Sequence, residues 1–246
     1  MLKTERENRI LKVLEQNGYV TVKTLSEMLF ASESSIRRDL SALEDAGLIK
    51  RNYGGAELQN RSGYVLPFGT RAHNNIKEKR EIAVKAAALI NEGDVVFLDA
   101  SSTCYFLGLE IADRTDITVV TNSVELLGLL SQGKAAVHST GGVLSGDNRI
   151  CLVGRNAEKG FEEIYADIAF FSVKSLDLEG RVSDCSQEEN FVRKAMLKNA
   201  AKKVLLINGG KLKSRSSFGL CHLSELDALV CDTDIPPEFS NYCEII

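Results

Sequence analysis

From Lys77 to the C-terminus, short continuous apolar runs alternate with helix-like segments, and this pattern limits the possible folds more than any other feature of the chain. The runs at 95–98, 117–120, 135–139, 168–173, 204–207 and 228–231 read as strands. Helical patterns span 77–92 and 187–201, and further helices start at Thr103 and Asn122. Strands without polar alternation are buried on both faces. The pattern therefore predicts an α/β domain over 77–246, with a mainly parallel sheet covered by helices on both sides.

The residues before it follow a different rule. Ile10, Leu11, Val13 and Leu14 fall at helical spacing, with Thr4 placed as an N-cap, Glu7 three residues on, and Gly18 as the stop. Thr21 can cap a second short helix that keeps Val22, Leu25, Met28 and Leu29 on one side. After a turn at 30–32, Ser32 or Ser34 can cap a third helix whose buried face is Ile36, Leu40 and Leu43 and whose end is Gly47. Segments 48–51 and 56–58 flank Asn52-Tyr53-Gly54-Gly55, which reads as a β-hairpin with a glycine turn. Three short helices and a hairpin make a winged helix-turn-helix over 1–58. The polar stretch 59–76, with Gly63, Pro67 and Gly69, is the expected linker.

Composition narrows the function. A net charge of −4 is wrong for a general polyanion binder, so any nucleic-acid contact must be local. The charged start, Met1 to Arg9, lacks the apolar core of a signal peptide, and no later run is long enough to span a bilayer, so a cytoplasmic protein without membrane contact is expected. The six cysteines form no C-x-x-C pair and the three histidines are dispersed, which leaves neither a disulfide framework nor a metal or cofactor site to expect.

The third helix presents Ser34, Ser35, Arg37 and Arg38 near its start, while Ile36 and Leu40 point inward. Arginines can donate bidentate bonds to guanine edges or phosphates, and residues early in a recognition helix reach base edges. Lys50 and Arg51 on the hairpin can add backbone contacts. One small reading head offers little specificity, so two copies on a two-fold operator are expected, with their third helices about 34 Å apart. A homodimer or homotetramer satisfies this.

In a parallel α/β sheet, ligands collect at the carboxyl ends of the strands. The loops there are Asp99-Ala100-Ser101-Ser102-Thr103, Thr121-Asn122-Ser123, Thr140-Gly141-Gly142 and Asn208-Gly209-Gly210-Lys211. Small hydroxyl, amide and glycine residues let backbone N–H groups approach an anion, and Lys211 adds a cation, a combination suited to phosphate. Asp99, Asp184 and Glu188 or Glu189 can accept hydrogen bonds from sugar hydroxyls.

The run 32–47, closing with Arg51-Asn52-Tyr53-Gly54-Gly55-Ala56, resembles the signature of the DeoR-type bacterial repressors. Ser35 stands where that family usually has threonine and Tyr53 where it usually has histidine, differences that bear on base preference. The later segments resemble the family's sensor domain, related in fold to ribose-5-phosphate isomerase, with further matches at Arg149, Gly154, Asp167, 182–184 and the helix carrying Glu189, Arg193, Lys194 and Met196. The resemblance implies operator DNA as one partner and, as the other, a phosphorylated sugar metabolite that loosens operator binding. Two segments depart from the family: Asn208-Gly209-Gly210-Lys211 replaces the common Asp-Ser-Ser-Lys, and Ser172-Val173-Lys174-Ser175-Leu176 replaces a glycine-containing loop. Catalysis by an isomerase-like site is disfavoured. Aligned on Asp167-Ile168-Ala169, the positions where the isomerases carry later acids hold Phe171, Lys174 and Ser175.

Overall fold

The computed structural model describes residues 3–45, 48–58 and 66–246, so the expected helix stop at Gly47 and the first part of the linker lie outside the described residues. The chain divides into two compact units, Met1–Leu66 and Pro67–Ile246.

The first unit runs α1 (Lys3–Asn17), β1 (Tyr19–Thr21), α2 (Val22–Leu29), α3 (Glu33–Asp45), β2 (Ile49–Asn52) and β3 (Gly55–Leu58). Its core gathers Ile10, Leu11, Leu14, Leu25, Ile36, Leu40 and Ile49. Each buried aliphatic side chain contributes about 1.5–3 kcal/mol, which three short helices obtain only by packing together. Gly18 ends α1 at φ 71°, its N–H bonded to the Leu14 carbonyl. Thr21 caps α2 by accepting from the Thr24 N–H. Ser32 caps α3, accepting from the Ser35 N–H at 3.3 Å.

Three details depart from expectation. Helix α1 already includes Lys3, which puts Thr4 inside its first turn instead of before it. Met28 is half exposed, because Val22, Leu25 and Leu29 already fill the buried stripe of α2. Residues 19–21 form a strand that joins the hairpin, giving the order β1-β3-β2, a pairing too short to leave a sequence pattern. The hairpin turn places both Tyr53 (φ 42°) and Gly54 (φ 79°) in the left-handed region, as a two-residue type I′ turn demands. The Tyr19 hydroxyl donates to the carbonyls of Asn52 and Tyr53 and braces that turn.

The second unit opens with α4 (Phe68–His73) and α5 (Ile76–Ala87). It continues with β4 (Val95–Leu98), α6 (Ser102–Ile111), β5 (Thr118–Thr121), α7 (Val124–Leu130) and β6 (Ala136–Ser139). Next come β7 (Val143–Leu144), β8 (Leu152–Val153), α8 (Arg155–Glu162), β9 (Ala166–Phe171), β10 (Ser175–Leu176) and β11 (Arg181–Asp184). It ends with α9 (Gln187–Lys198), β12 (Ala200–Ile207), β13 (Phe218–His222), β14 (Ala228–Cys231) and β15 (Glu244–Ile245). Seven strands form one parallel sheet in the order β15-β14-β12-β9-β4-β5-β6. Alternate residues feed opposite layers: Phe97, Leu205 and Ile207 pack with Phe161, Val192 and Met196, while Val96, Leu98, Val204 and Leu206 pack with Ile82, Leu107 and Leu126.

The chain enters this sheet at β4, the third strand from the β6 edge. From β4 it steps outward to β5 and β6, then returns to the other side of β4 as β9 and proceeds through β12 and β14. The reversal creates a crevice at the carboxyl ends of β4 and β9. The C-terminal part of the expected linker contains α4, where Phe68 stacks edge-on against Tyr105 at 5.3 Å and the buried Lys79 ammonium donates to the Arg71 and Asn74 carbonyls. Two small antiparallel elements, β7-β8 and β10-β11-β13, were not apparent in the sequence because strands of two to five residues are too short to establish a period. Among the described residues no helix is long and apolar enough to cross a membrane.

Candidate functional site

In the first unit the burial of Ile36, Asp39, Leu40 and Leu43 fixes one face of α3 inward. Ser34, Arg37 and Arg38 consequently stand exposed, with Ser35 half-buried beside the Ser32 cap. Arg37 pairs with Glu33 at 2.8 Å and Arg38 reaches the Ser35 hydroxyl at 3.4 Å. Both contacts are solvent-exposed and weak enough to be exchanged for a phosphate or base. Asp39 is buried and bonded twice by the Arg6 guanidinium, which ties α1 to α3. Asp39 holds the Arg6 pKa above its ordinary value by hydrogen bonding. Lys50 and Tyr53 are exposed on the hairpin. Arg51 turns back onto α3 instead: its N–H donates to Glu44 at 3.0 Å and its guanidinium to Ser41 at 3.2 Å. In this arrangement Arg51 fixes the hairpin against the helix.

In the second unit Arg193 occupies the floor of the β4/β9 crevice. Its guanidinium meets Asp99 at 2.9 Å, Asp184 at 3.1 Å and Glu189 at 3.0 Å, all buried. Burial opposes its charge, but the three carboxylates together hold its pKa above the ordinary value. Asp99 also accepts from the Ser101 and Ser172 N–H groups, binding the two crevice loops to each other. Burial pushes the Glu189 pKa up against the pull of Arg193. Asn148 donates to Glu189 at 2.9 Å and accepts from Arg71 at 2.9 Å, extending the cluster to α4.

Further cations border this cluster. Lys211 donates to the Ser172 hydroxyl at 3.0 Å, and burial pushes its pKa down to about 8, opposed by Asp184 and Asp99 and assisted by Lys174 and Arg71. Among the described residues the neighbourhood thus holds three carboxylates (Asp99, Asp184, Glu189) and four cations (Arg71, Lys174, Arg193, Lys211). Ser101 caps α6 by accepting from the Cys104 N–H, leaving the buried Ser102 and Thr103 in the first turn of a ten-residue helix. The Thr103 hydroxyl and Asn122 Oδ1 are buried without a hydrogen-bond partner.

The sensor-domain model of the DeoR family matches residues 74–233, and the DeoR-like helix-turn-helix model matches residues 6–62. The chain belongs to the DeoR family. It is a helix-turn-helix transcriptional regulator, similar along almost its whole length to others of that family. The regulator GolR of Listeria innocua is 34% identical, with 96% of this chain and 92% of that protein covered. The lactose phosphotransferase system repressor of Streptococcus mutans is 32% identical with both chains fully covered. The L-fucose operon activator of Escherichia coli is 32% identical over 94% of this chain and 96% of its own. Among solved structures, ribose 5-phosphate isomerase A from Methanocaldococcus jannaschii aligns with a TM-score of 0.44 and 19% identity, covering 56% of this chain and 55% of that one.

Within this DeoR-family chain, Asp99, Asp184 and Glu189 meet on Arg193, Ser101 donates to Asp99, Lys211 stands beside Ser172, and Ser102 and Thr103 are buried in the first turn of α6. Thr121 is fully buried and accepts from the Ser123 N–H, while Asn122 follows it at the end of β5. Of the two glutamates left open by the sequence, Glu189 faces the cluster and Glu188 is exposed, since neighbours on a helix point about 100° apart. Gly141 and Gly142 have positive φ, and a Cβ at Gly142 would lie 2.7 Å from the Val153 carbonyl oxygen. That close approach to β8 accounts for Gly142. Arg149 and Lys174 are exposed. Sequence reasoning had not placed Arg71 or Asn148 at the site. Neither carries a motif, and only the fold brings α4 and the turn before β8 to the crevice.

Proposed function

We propose that this regulator represses a carbohydrate-utilisation operon and leaves its operator when a phosphorylated sugar binds the β4/β9 crevice. The observation that carries the effector half is the excess, among the described residues, of cations over carboxylates around Arg193 and Lys211, at the reversal point of a parallel sheet where α6 begins. A helix N-terminus presents unpaired N–H groups and a positive dipole end to a phosphate. Lys211 supplies a further positive charge beside Ser172, while Asp99, Asp184 and Glu189 are held in fixed positions by Arg193, from which remaining lone pairs can receive sugar hydroxyls. The operator half rests on Ser34, Ser35, Arg37 and Arg38 at the start of α3, with Lys50 and Tyr53 on the wing; two copies would present two such helices to successive major grooves.

The Streptococcus mutans relative is called a repressor and the Escherichia coli relative an activator. Activation is therefore the second reading. The test is to titrate the full chain onto DNA fragments flanking its own gene at fixed salt, determine the bound stoichiometry by sedimentation, and transcribe the same fragments in vitro. Specific binding of two or four copies with reduced transcription supports the proposal. Increased transcription selects activation, and binding by a monomer removes the two-fold operator.

A further inference from the structure

We infer that a second cavity, at the carboxyl ends of β12 and β14, binds a small organic diamine. Its ligand is independent of whatever occupies the β4/β9 crevice.

Ile207 and Cys231 pair at the ends of β12 and β14, so the loops that follow them leave the sheet side by side. Between residues 208–210, residues 232–234, the start of α5 and Leu178 in the β10–β11 turn lies a cavity of about 780 Å³, a size common among small-molecule sites. Lys211, the next residue of the first loop, instead sends its ammonium to the Ser172 hydroxyl. One loop therefore lines the cavity with 208–210 and serves the crevice with Lys211.

One polar side chain of the cavity has no use within the fold. Asn208 is only 4% exposed and lines the cavity, yet it does not cap the turn that follows, and among the described residues its amide has no hydrogen-bond partner. Buried polar groups are almost always paired, so a ligand atom is the partner this amide lacks. Two glycines keep it uncovered. A Cβ at Gly209 would lie 2.5 Å from Thr233 Oγ1, so the serine common in the DeoR family at this position could not pack without displacing Thr233. A Cβ at Gly210 would lie 3.5 Å from Asn208 Oδ1, close enough for a serine hydroxyl there to occupy the amide.

Charge selects the class of ligand. Glu78, Asp232 and Asp234 line the cavity together with a single lysine among the described residues, Lys213. Asp232 already accepts from the Gly209 N–H at 2.9 Å, whereas Glu78 and Asp234 have neither a hydrogen bond nor an ion pair among the described residues. This excess of negative charge repels a phosphate and attracts an ammonium. A metal ion needs converging ligands, and among the described residues no three carboxylate, histidine or cysteine side chains stand close enough to hold one. Carboxylates spread around a cavity of this size instead suit charges spread along a chain, which a diamine has. Its N–H groups can also donate to the Asn208 oxygen.

The test is calorimetry on the full chain at pH 7.5 with putrescine, butylamine, butanediol and inorganic phosphate. Putrescine is expected to bind once per chain, about fivefold or more tighter than butylamine, with butanediol and phosphate unable to displace it. Neutralising both free acids, Glu78→Gln with Asp234→Asn, should weaken putrescine about fivefold or more. Asn208→Ala should weaken it about threefold or more without lowering the melting temperature of the ligand-free protein, because the amide bonds nothing there. Lys213→Gln should tighten it about twofold, a gain that loss of structure would not give. Glu110→Gln, at an exposed acid on α6 that does not line the cavity, should change nothing. Absence of putrescine binding overturns the inference. Equal affinity for putrescine and butanediol also overturns it, since the site would then read hydroxyls and not charge, and displacement of putrescine by phosphate reverses the sign of the site. Binding unchanged by the Glu78/Asp234 and Lys213 substitutions places the amine elsewhere, and an Asn208→Ala protein that melts several degrees lower shows a structural amide; either result overturns the inference as well.

Discussion

Replacing Arg193 by methionine removes one charge from the centre of three. Methionine is of comparable length and fills the space without a donor, so the effect reports charge more than volume. The Arg193, Asp99 and Glu189 side chains are about 6%, 2% and 6% exposed, and Asp184 is 11% exposed. Breaking a buried ion pair by removing one partner costs about 3–5 kcal/mol, because the remaining charge is left without compensation. For a unit of this size each kcal/mol lowers the melting temperature by about 2–4 °C, so a drop of about 10 °C is expected in the sensor transition of Arg193→Met. The loss must depend on pH. Glu189 is already pushed up by burial in the wild type, and without the guanidinium the attraction that opposes this shift is gone. A carboxylate raised on folding contributes stability that is present at low pH and lost as pH rises through its folded pKa. The deficit relative to wild type should therefore be largest near pH 7.5 and shrink toward pH 5. Calorimetric melting of both proteins across this range is the assay. A loss under about 1 kcal/mol, or a deficit equal at both ends of the range, would refute the assignment of Arg193 as the charge that holds the crevice together.

Other perturbations have equally definite outcomes. Arg37→Ala and Arg38→Ala should each cost about 1–3 kcal/mol of operator binding if they remove a base contact, and mainly flatten the salt dependence if they remove a phosphate contact; fluorescence anisotropy over a salt series separates the two. Asp39→Asn leaves Arg6 without its buried charge partner and should destabilise the reading head by about 1.5–3 kcal/mol in denaturant melts, with DNA affinity recovering where the domain remains folded. Lys211→Ala should weaken sugar-phosphate binding in calorimetry while leaving ligand-free operator affinity intact. Because burial brings Lys211 down to about 8, the ligand-free ammonium loses its proton as pH rises through that value, and wild-type affinity for a phosphate should fall between pH 7 and pH 9 while the Lys211→Ala protein changes little.

The parallel sheet was legible because strands such as Val95–Leu98 and Ala228–Cys231 are apolar on both faces, and no helix of that length could use such a run. The three helices of the reading head were legible from their caps and stripes, Thr21 and Ser32 above all. Strand β1 was hidden because three residues do not establish a period, and α4 because a six-residue helix between a proline and an asparagine looks like loop. At the crevice, the sequence offered the loop residues but not their connections. Glu189 and Arg193 stand i,i+4 on one helix, a spacing that by itself makes only a local surface pair. Only the fold brings Asp99, 94 positions before Arg193, into contact with it and turns a surface motif into a buried charge cluster. The same holds for Glu188 and Glu189, which composition cannot distinguish and helix phase can.

Occupation of the crevice is proposed to change the hold of the reading head on DNA, and operator affinity of the full chain at fixed salt, with and without a saturating sugar phosphate, measures that change. A compound that calorimetry shows to bind the protein should weaken operator affinity roughly 5–150-fold, the range of a typical coupling free energy. Operator affinity unchanged by a compound that does bind, or strengthened by it, would mean that the crevice does not release the operator.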